Sequence, residues 1–325
     1  MSAQARGCRA VRFRQPRALA IERIEAPPPG AGEVRVKLQG CGVCGSNLPV
    51  WEGRPWFGYP LEPGAPGHEG WGRVDAVGEG VEGLRPGDRV ALLSFHAYAE
   101  YDLAPASGVV RLPETLGERP FPGEALACVM NIFERCAIEA GQTVAIVGVG
   151  FIGAALTALA AGAGARVLAL SRRPFALEMA ERMGASALIR LDDAARAIAQ
   201  ARAMTGGEGC RCVIEAAGTQ QTLDVATEIT GVRARLVIAG YHQDGPRQVN
   251  LQQWNWRGLD VINAHERDPA VYRRGMEAAV NLVVRGGFDP EPLWTHRFPL
   301  EEASAAFEAL ALRPAGFMKA LIECG

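Results

Sequence analysis

The sequence predicts an α/β protein in two parts: a small, irregular, mainly β region and a doubly wound parallel sheet with helices on both faces. Three observations predict it. The chain has 325 residues, about twice a common single-domain length. Its texture changes near residue 123, with frequent glycines and prolines and short apolar runs before that point. From residue 143 short apolar strands alternate with helical segments, as in a parallel sheet covered on both faces.

In the first part, Val34–Gly40 alternates polar and apolar residues as a half-buried strand does. Gly87-Asp88-Arg89-Val90 enters another strand, and Phe95–Leu103 is a third candidate. In the second part, strands are expected at Thr143–Val147, Ala165–Leu170, Ala187–Leu191, Cys212–Ala216, Ala234–Ala239 and Asp260–Asn263. Helices are expected at Phe151–Ala163 and Pro174–Met183, the latter with proline early, where it is tolerated. Further helical segments fall near 192–204, 219–229 and 269–285. The tail holds one more helix near Glu301–Leu312 and a final strand, Met318–Glu323, that can rejoin the first domain.

Composition bounds the function. Hydrophobic residues make up 48% and charged residues 22%, which excludes disorder, collagen-like repeats and coiled coil. A formal net charge of −2 gives no basis for nucleic-acid binding. No apolar run is long enough to span a bilayer, and Met1–Gln15 has no apolar stretch of signal-peptide type. A cytoplasmic protein without membrane partners is expected. The eight cysteines are too dilute for a disulfide scaffold and read as free thiols or metal ligands.

After the strand at 143–147 comes Gly148-Val149-Gly150-Phe151-Ile152-Gly153, opening a helix. Gly-x-Gly-x-x-Gly between strand and helix is a Rossmann dinucleotide fingerprint. The first glycine permits the turn, the second lets a pyrophosphate approach, and the third lets helix and strand pack closely. The helix N-terminus supplies N–H groups for the anion. An NAD site usually places a carboxylate at the end of the next strand. Here Leu170 is followed by Ser171-Arg172-Arg173. Two guanidinium groups and a hydroxyl suit a 2′-phosphate, so NADP(H) is expected over NAD(H).

The first part holds Cys44-Gly45-Ser46-Asn47 and, 24 residues after Cys44, His68-Glu69. Thiolate, imidazole and carboxylate can together bind zinc with an open position. Cys41-x-x-Cys44 could equally be a redox pair.

Gly67-His68-Glu69-Gly70-Trp71-Gly72, with Gly78 and Val81, resembles the signature of zinc-dependent alcohol dehydrogenases of the medium-chain dehydrogenase/reductase superfamily. Pro86-Gly87-Asp88-Arg89-Val90 and the Rossmann half match as well. The resemblance covers nearly the whole chain. It implies a GroES-like β domain over 1–124 and 265–325 and a Rossmann domain over 125–264. It implies Cys44 and His68 as zinc ligands, with either Glu69 or Glu124 as the third. In polyol dehydrogenases of the family the glutamate after the histidine can ligate the metal; in others it sits behind it. Ser46 matches the hydroxyl that bonds the substrate oxygen and starts a proton relay. Ala216 and Asn263-Ala264-His265 fall near the expected nicotinamide site. A homodimer or homotetramer is implied.

Three departures bear on this. Asn47 replaces an aspartate that most members carry, whose basic counterpart here is expected to be Lys319. Pro49 stands where some members end the relay with histidine. The lobe with four closely spaced cysteines is missing, so one zinc per chain at most and no structural zinc is expected. The ligand set resembles the polyol, sugar and secondary-alcohol branch. The alternatives are a zinc-free enone or quinone reductase and a non-catalytic NADP(H)-binding sensor.

Other candidates carry two readings. Trp51, Trp56, Phe57 and Tyr59 could wall a substrate pocket or pack on the domain. Trp254 and Trp256 could form an interface or a site. His96, His242 and His296 read as structural or exposed, and Cys210 and Cys212 as buried packing.

Overall fold

The computed structural model describes residues 6–325. The chain divides into two compact units: one runs to Ala127 and resumes over Arg267–Gly325, and the other is Cys128–Glu266.

The first unit begins with a hairpin the sequence reading did not assign, β1 (Gly7–Gln15) and β2 (Ala18–Glu25), paired antiparallel. Next come β3 (Glu33–Gly42), the short helix α1 (Leu48–Glu52), β4 (Gly70–Val77), β5 (Arg89–Leu92), β6 (Tyr101–Pro105) and β7 (Val109–Arg111). Helix α2 is Gly123–Cys136. The expected strand at Phe95–Leu103 forms only from Tyr101. Its first residues are held by other partners: the His96 N–H donates to Asp102 and the Ala97 N–H to Gly67 O.

In the second unit, β8 (Thr143–Val147), α3 (Phe151–Gly162), β9 (Arg166–Ser171), α4 (Pro174–Arg182), β10 (Ala187–Arg190), α5 (Ala194–Ala203), β11 (Cys210–Glu215), α6 (Gln220–Ile229), β12 (Thr230–Ile238), α7 (Leu251–Arg257) and β13 (Asp260–Asn263) follow one another. The six strands form one parallel sheet in the order β10-β9-β8-β11-β12-β13. That order is the doubly wound Rossmann arrangement, reversing direction beside β8. Val144 to Val147 and Val167 to Leu170 are wholly buried, because helices cover both faces of such a sheet. Side chains cap the helices where the sequence offers them. Asp193 accepts from Arg196 N, and Thr219 and Thr222 form a reciprocal capping box.

The chain returns to the first unit through α8 (Pro269–Val284), β14 (His296–Pro299), α9 (Ala303–Leu312) and β15 (Ala320–Glu323). The order β14-β15-β3-β4-β5-β7, with β6 also on β3, makes a seven-stranded sheet. Strand β15 lies beside β3 in the register Leu321↔Gly42, so the tail completes the first unit's sheet. The Phe307 ring meets Phe13, Trp51 and Tyr98 at the centre of this core. Among the described residues no helix is long and apolar enough to cross a membrane.

Candidate metal centre and cofactor loop

Strands β3 and β4 pair antiparallel with Cys41 opposite Gly70. That register sets the residues following β3 against those preceding β4, with the Gly42 N–H donating to Glu69 O at 3.2 Å. Cys44 therefore faces His68. Two backbone features hold the loops. The Val43 N–H donates to Ala320 O at 2.9 Å, and Gly64–Gly67 lies so close to the 96–98 segment that a Cβ on Gly67 would fall 2.4 Å from Tyr98 N. Gly42 has the same constraint, since a Cβ there would sit 1.8 Å from Glu69 Oε2.

Ligand atoms of Cys44, His68 and Glu69 all lie within 4.8 Å of one another, the group of that kind found among the described residues. His68 Nδ1 is 2.8 Å from Pro66 O. A carbonyl only accepts, so Nδ1 carries the proton and Nε2 is left as the donor atom. Burial works against a charged His68, but Cys44, then Glu124 and Glu69, lift its pKa to about 10, so without a metal Nε2 also holds a proton, one that a bound metal ion would displace. Glu124 thus acts on His68 through its charge while standing outside the group of three.

Lys319 supplies the counter-charge, with Nζ 2.9 Å from Glu69 Oε1 and 2.7 Å from Oε2. The two are 5% and 1% exposed. Burial works against the ammonium, but Glu69 and then Cys44 hold its pKa above the ordinary value. Glu69 Oε2 has no hydrogen bond of good geometry and keeps lone-pair capacity. Soft sulfur, imidazole nitrogen and a carboxylate oxygen are a donor set that zinc accepts with one position open.

The expected pairing of Lys319 with position 47 is corrected: Lys319 meets Glu69, and Asn47 lies in a separate network. The Asn47 amide N–H group donates to Pro66 O at 3.1 Å and to Tyr98 Oη at 2.9 Å. Ser46 Oγ is 3.2 Å from both Asn47 Oδ1 and Cys44 Sγ. Cys41 is wholly buried, and burial pushes its thiol well above the ordinary range, which argues against a redox pair with Cys44. All eight cysteines are free.

The aromatic quartet divides. Trp51 packs on Phe307 and under Arg17, Phe57 lies against the core, and the Tyr59 hydroxyl donates to Val50 O. Trp56 is exposed. Cys210 and Cys212 are buried packing.

In the second unit the glycine loop has the shape its sequence requires. Gly148 has φ +100°, and a Cβ on it would meet Ala217 at 2.7 Å. A Cβ on Gly153 would lie 2.1 Å from Gly148 O, whereas nothing lies within 4 Å of one on Gly150. The open side at Gly150 is where a pyrophosphate would approach, at the start of α3 with Phe151 and Ile152. Ser171 ends β9, and its Oγ accepts from Arg173 N at 3.3 Å. Arg173 reaches back to Val149 O at 3.3 Å, and Arg172 is exposed. Ala216 follows β11. Asn263 ends β13, and Ala264 is buried with its N–H on Ile238 O at 2.9 Å. The exposed His265 stacks on Tyr241 with centroids 5.7 Å apart. These residues lie at the carboxyl ends of the strands, where open α/β sheets bind ligands.

One constellation escaped the sequence reading. Glu215 is wholly buried; Oε1 accepts from Ala217 N, Gly218 N and Thr222 Oγ1 at 2.9, 2.8 and 2.7 Å. Its Oε2 is 3.0 Å from His242 Nε2, and His242 Nδ1 accepts from Arg247 Nε at 2.7 Å. The chain ties the loop after β12 to the end of β11. The one signal was a glutamate closing the apolar run Cys212–Ile214.

Residues 30–114 match the family model for the alcohol dehydrogenase GroES-like domain, and 151–281 that for zinc-binding dehydrogenases. A 2-dehydro-3-deoxy-L-galactonate 5-dehydrogenase of Pseudoalteromonas atlantica is 28% identical, covering 91% of this chain and 93% of that protein. Human sorbitol dehydrogenase is also 28% identical, over 89% of each chain. Among solved structures, a Sinorhizobium meliloti protein described as a zinc-binding dehydrogenase, bound to NADP, is 26% identical with a TM-score of 0.84. It covers 98% of this chain and 100% of its own. The RspB alcohol dehydrogenase of Escherichia coli, in complex with NADH, is 25% identical with a TM-score of 0.87, over 98% and 99%. With both halves matched and the glycine pattern around His68 in its structural place, the chain belongs to the zinc-dependent alcohol dehydrogenase family of the medium-chain dehydrogenase/reductase superfamily.

Proposed function

We propose that this alcohol oxidoreductase uses NADP(H) and one zinc ion to interconvert a secondary alcohol, polyol or sugar-derived alcohol and its carbonyl compound. The observation that carries the reading is the convergence of Cys44, His68 and Glu69 within 4.8 Å, with the His68 proton fixed on Nδ1. Zinc held there would supply Lewis acidity, lowering the pKa of an alcohol and polarising a carbonyl. Lys319 anchors Glu69 and balances the charge of the group. Ser46, 3.2 Å from Cys44 Sγ, stands where its hydroxyl can bond the substrate oxygen.

The cofactor preference rests on Ser171, Arg172 and Arg173, with no carboxylate at the end of β9. The substrate class rests on a carboxylate in the ligand group and on the sorbitol and galactonate dehydrogenases among the relatives. Assembly as a homodimer or homotetramer is part of the proposal. The exposed edge strand β13 and Trp256, 90% exposed, support it. The test is steady-state turnover on a panel of polyols, sugar acids and secondary alcohols with NADP and NAD at physiological salt. NADP-dependent oxidation of one class supports the reading. Equal use of both cofactors removes the NADP preference, and no turnover with either removes the activity.

A further inference from the structure

The crevice of an open parallel sheet lies where the strand order reverses, here between β8 and β11. Glu215 closes β11 directly beside Val147, the last residue of β8. Its wholly buried carboxylate holds the turn that follows, since Oε1 accepts from Ala217 N at 2.9 Å and Gly218 N at 2.8 Å. That turn stands against the phosphate loop: a Cβ on Gly148 would lie 2.7 Å from Ala217 Cβ. The Glu215 carbonyl reaches the other way and accepts from Ala239 N and Gly240 N, both at 2.8 Å, just after β12. One glutamate thus sets the backbone at two neighbouring strand ends.

From Oε2 a chain continues outward. Arg247 Nε can only donate, and it meets His242 Nδ1 at 2.7 Å. The imidazole proton is therefore on Nε2, which donates to Glu215 Oε2 at 3.0 Å. A neutral imidazole donates at one nitrogen and accepts at the other, so it joins a carboxylate to a guanidinium through one rigid ring. Arg247 also pairs with Asp244, and its Nη2 donates to Gly218 O at 2.8 Å. The chain closes on itself: Glu215 grips the Gly218 N–H and Arg247 the Gly218 carbonyl. No side chain fits at the seam. A Cβ on Gly218, at φ +77°, would fall 2.8 Å from Tyr241 O, and one on Gly240 would fall 2.3 Å from Gly218 N. Tyr241, set between Gly240 and His242, extends the arrangement to the end of β13 by stacking on His265.

The adenosine half of a dinucleotide lies over the end of the second strand, here β9, and its pyrophosphate at the N-terminus of the first helix, here α3. The other half extends over the ends of β11, β12 and β13, on the far side of the reversal. We propose that Glu215, His242 and Arg247 are positioning residues for the nicotinamide half of the cofactor. They fix the segments 216–218 and 239–242 that floor its part of the crevice. The inference rests on the nicotinamide dinucleotide reading above.

The test is calorimetric binding to the full-length chain of NADPH and of adenosine 2′,5′-bisphosphate, which is the adenosine half alone. If the native chain takes NADH instead, the same contrast is read with NADH and AMP. His242→Ala should weaken binding of the whole cofactor about tenfold, the worth of one hydrogen bond to a charged group, and leave the fragment within about twofold. Arg247→Ala keeps the buried Glu215–His242 pair and should act in the same direction, and it tests the idea even if His242→Ala folds poorly. The two losses should fall short of multiplying in the double variant, because both residues act through one ring of hydrogen bonds. Equal weakening of fragment and whole cofactor would make the ring a support of the unit at large. Unchanged binding of both would leave it without effect on the crevice. Either result overturns the inference alone. A native chain that binds neither NADPH nor NADH overturns the cofactor reading and the inference with it.

Discussion

At the scale of single residues, the account turns on a buried ion pair next to a ligand group. Lys319 and Glu69 are each almost wholly buried, with the ammonium nitrogen 2.7 Å from the carboxylate. Removing one partner strands the other in a medium that cannot solvate it. Lys319→Met should therefore cost about 3–5 kcal/mol of stability, measured by denaturant unfolding of the metal-free chain. A loss below 1 kcal/mol would mean that water reaches Glu69. Arg173 makes a second prediction at this scale. Arg173→Ala should weaken NADP binding by about ten- to a hundredfold, the worth of one charge-assisted pair, and leave NAD binding within about twofold. A parallel fall for both cofactors would assign Arg173 to shaping the glycine loop through Val149 O instead. Cys44, His68 and Glu69 were legible as candidates from residue type and spacing, but spacing left Glu69 and Glu124 equal. The antiparallel register of β3 and β4 brings Glu69 beside Cys44 and His68, and no local pattern encodes which residues a register sets opposite each other. The Lys319 partner was misassigned for the same reason, since β15 is brought to β3 from the far end of the chain.

At the scale of elements, the parallel sheet was the most legible part. Thr143–Val147 and Asp260–Asn263 have the bounds the sequence suggested; the first is a central strand, buried over Val144–Val147, that reads as an unbroken apolar run, and the second is an exposed edge strand set off by Gly258 before it. The hairpin at Gly7–Glu25, the strand at Gly70–Val77 and the helix at Gly123–Cys136 went unassigned. The hairpin mixes charged and apolar residues on both faces, and β4 begins with glycines that a strand would ordinarily avoid. Gly72 is there because its Cβ would meet Lys37 O at 2.1 Å, a demand of the partner strand and not of local propensity. The glycine loop gives this scale its prediction. Gly153→Ala drives a methyl group to 2.1 Å from Gly148 O, a backbone atom that cannot step aside alone. It should cost about 1–3 kcal/mol of stability and weaken dinucleotide binding. Gly150→Ala meets open space and should leave stability nearly unchanged while still weakening pyrophosphate binding. Equal loss of stability in both variants would refute the division of roles between the two glycines.

At the scale of the whole molecule, the chain order does what neither part could do alone. The first unit is incomplete until residues after 266 return, because β15 fills the gap between β14 and β3 and delivers Lys319 behind Glu69. Truncation before Met318 should abolish metal retention as well as destabilise the first unit, read by metal analysis alongside thermal unfolding. The change of texture near residue 123 and the strand–helix alternation after 143 were visible in the sequence, whereas the return of the tail was implied by the family resemblance. The His242–Glu215–Arg247 tie across the sheet's carboxyl end was not legible, because its three members lie up to 32 residues apart with no periodic pattern. The central claim is that one metal ion sits on Cys44, His68 and Glu69 and that the chemistry depends on it. The most direct test is zinc per chain in protein purified without chelator or added metal, compared with Cys44→Ser. The account predicts about one zinc per chain, lost together with turnover in the variant. No zinc in the native chain after attempted reloading, or full zinc and turnover in Cys44→Ser, would contradict it.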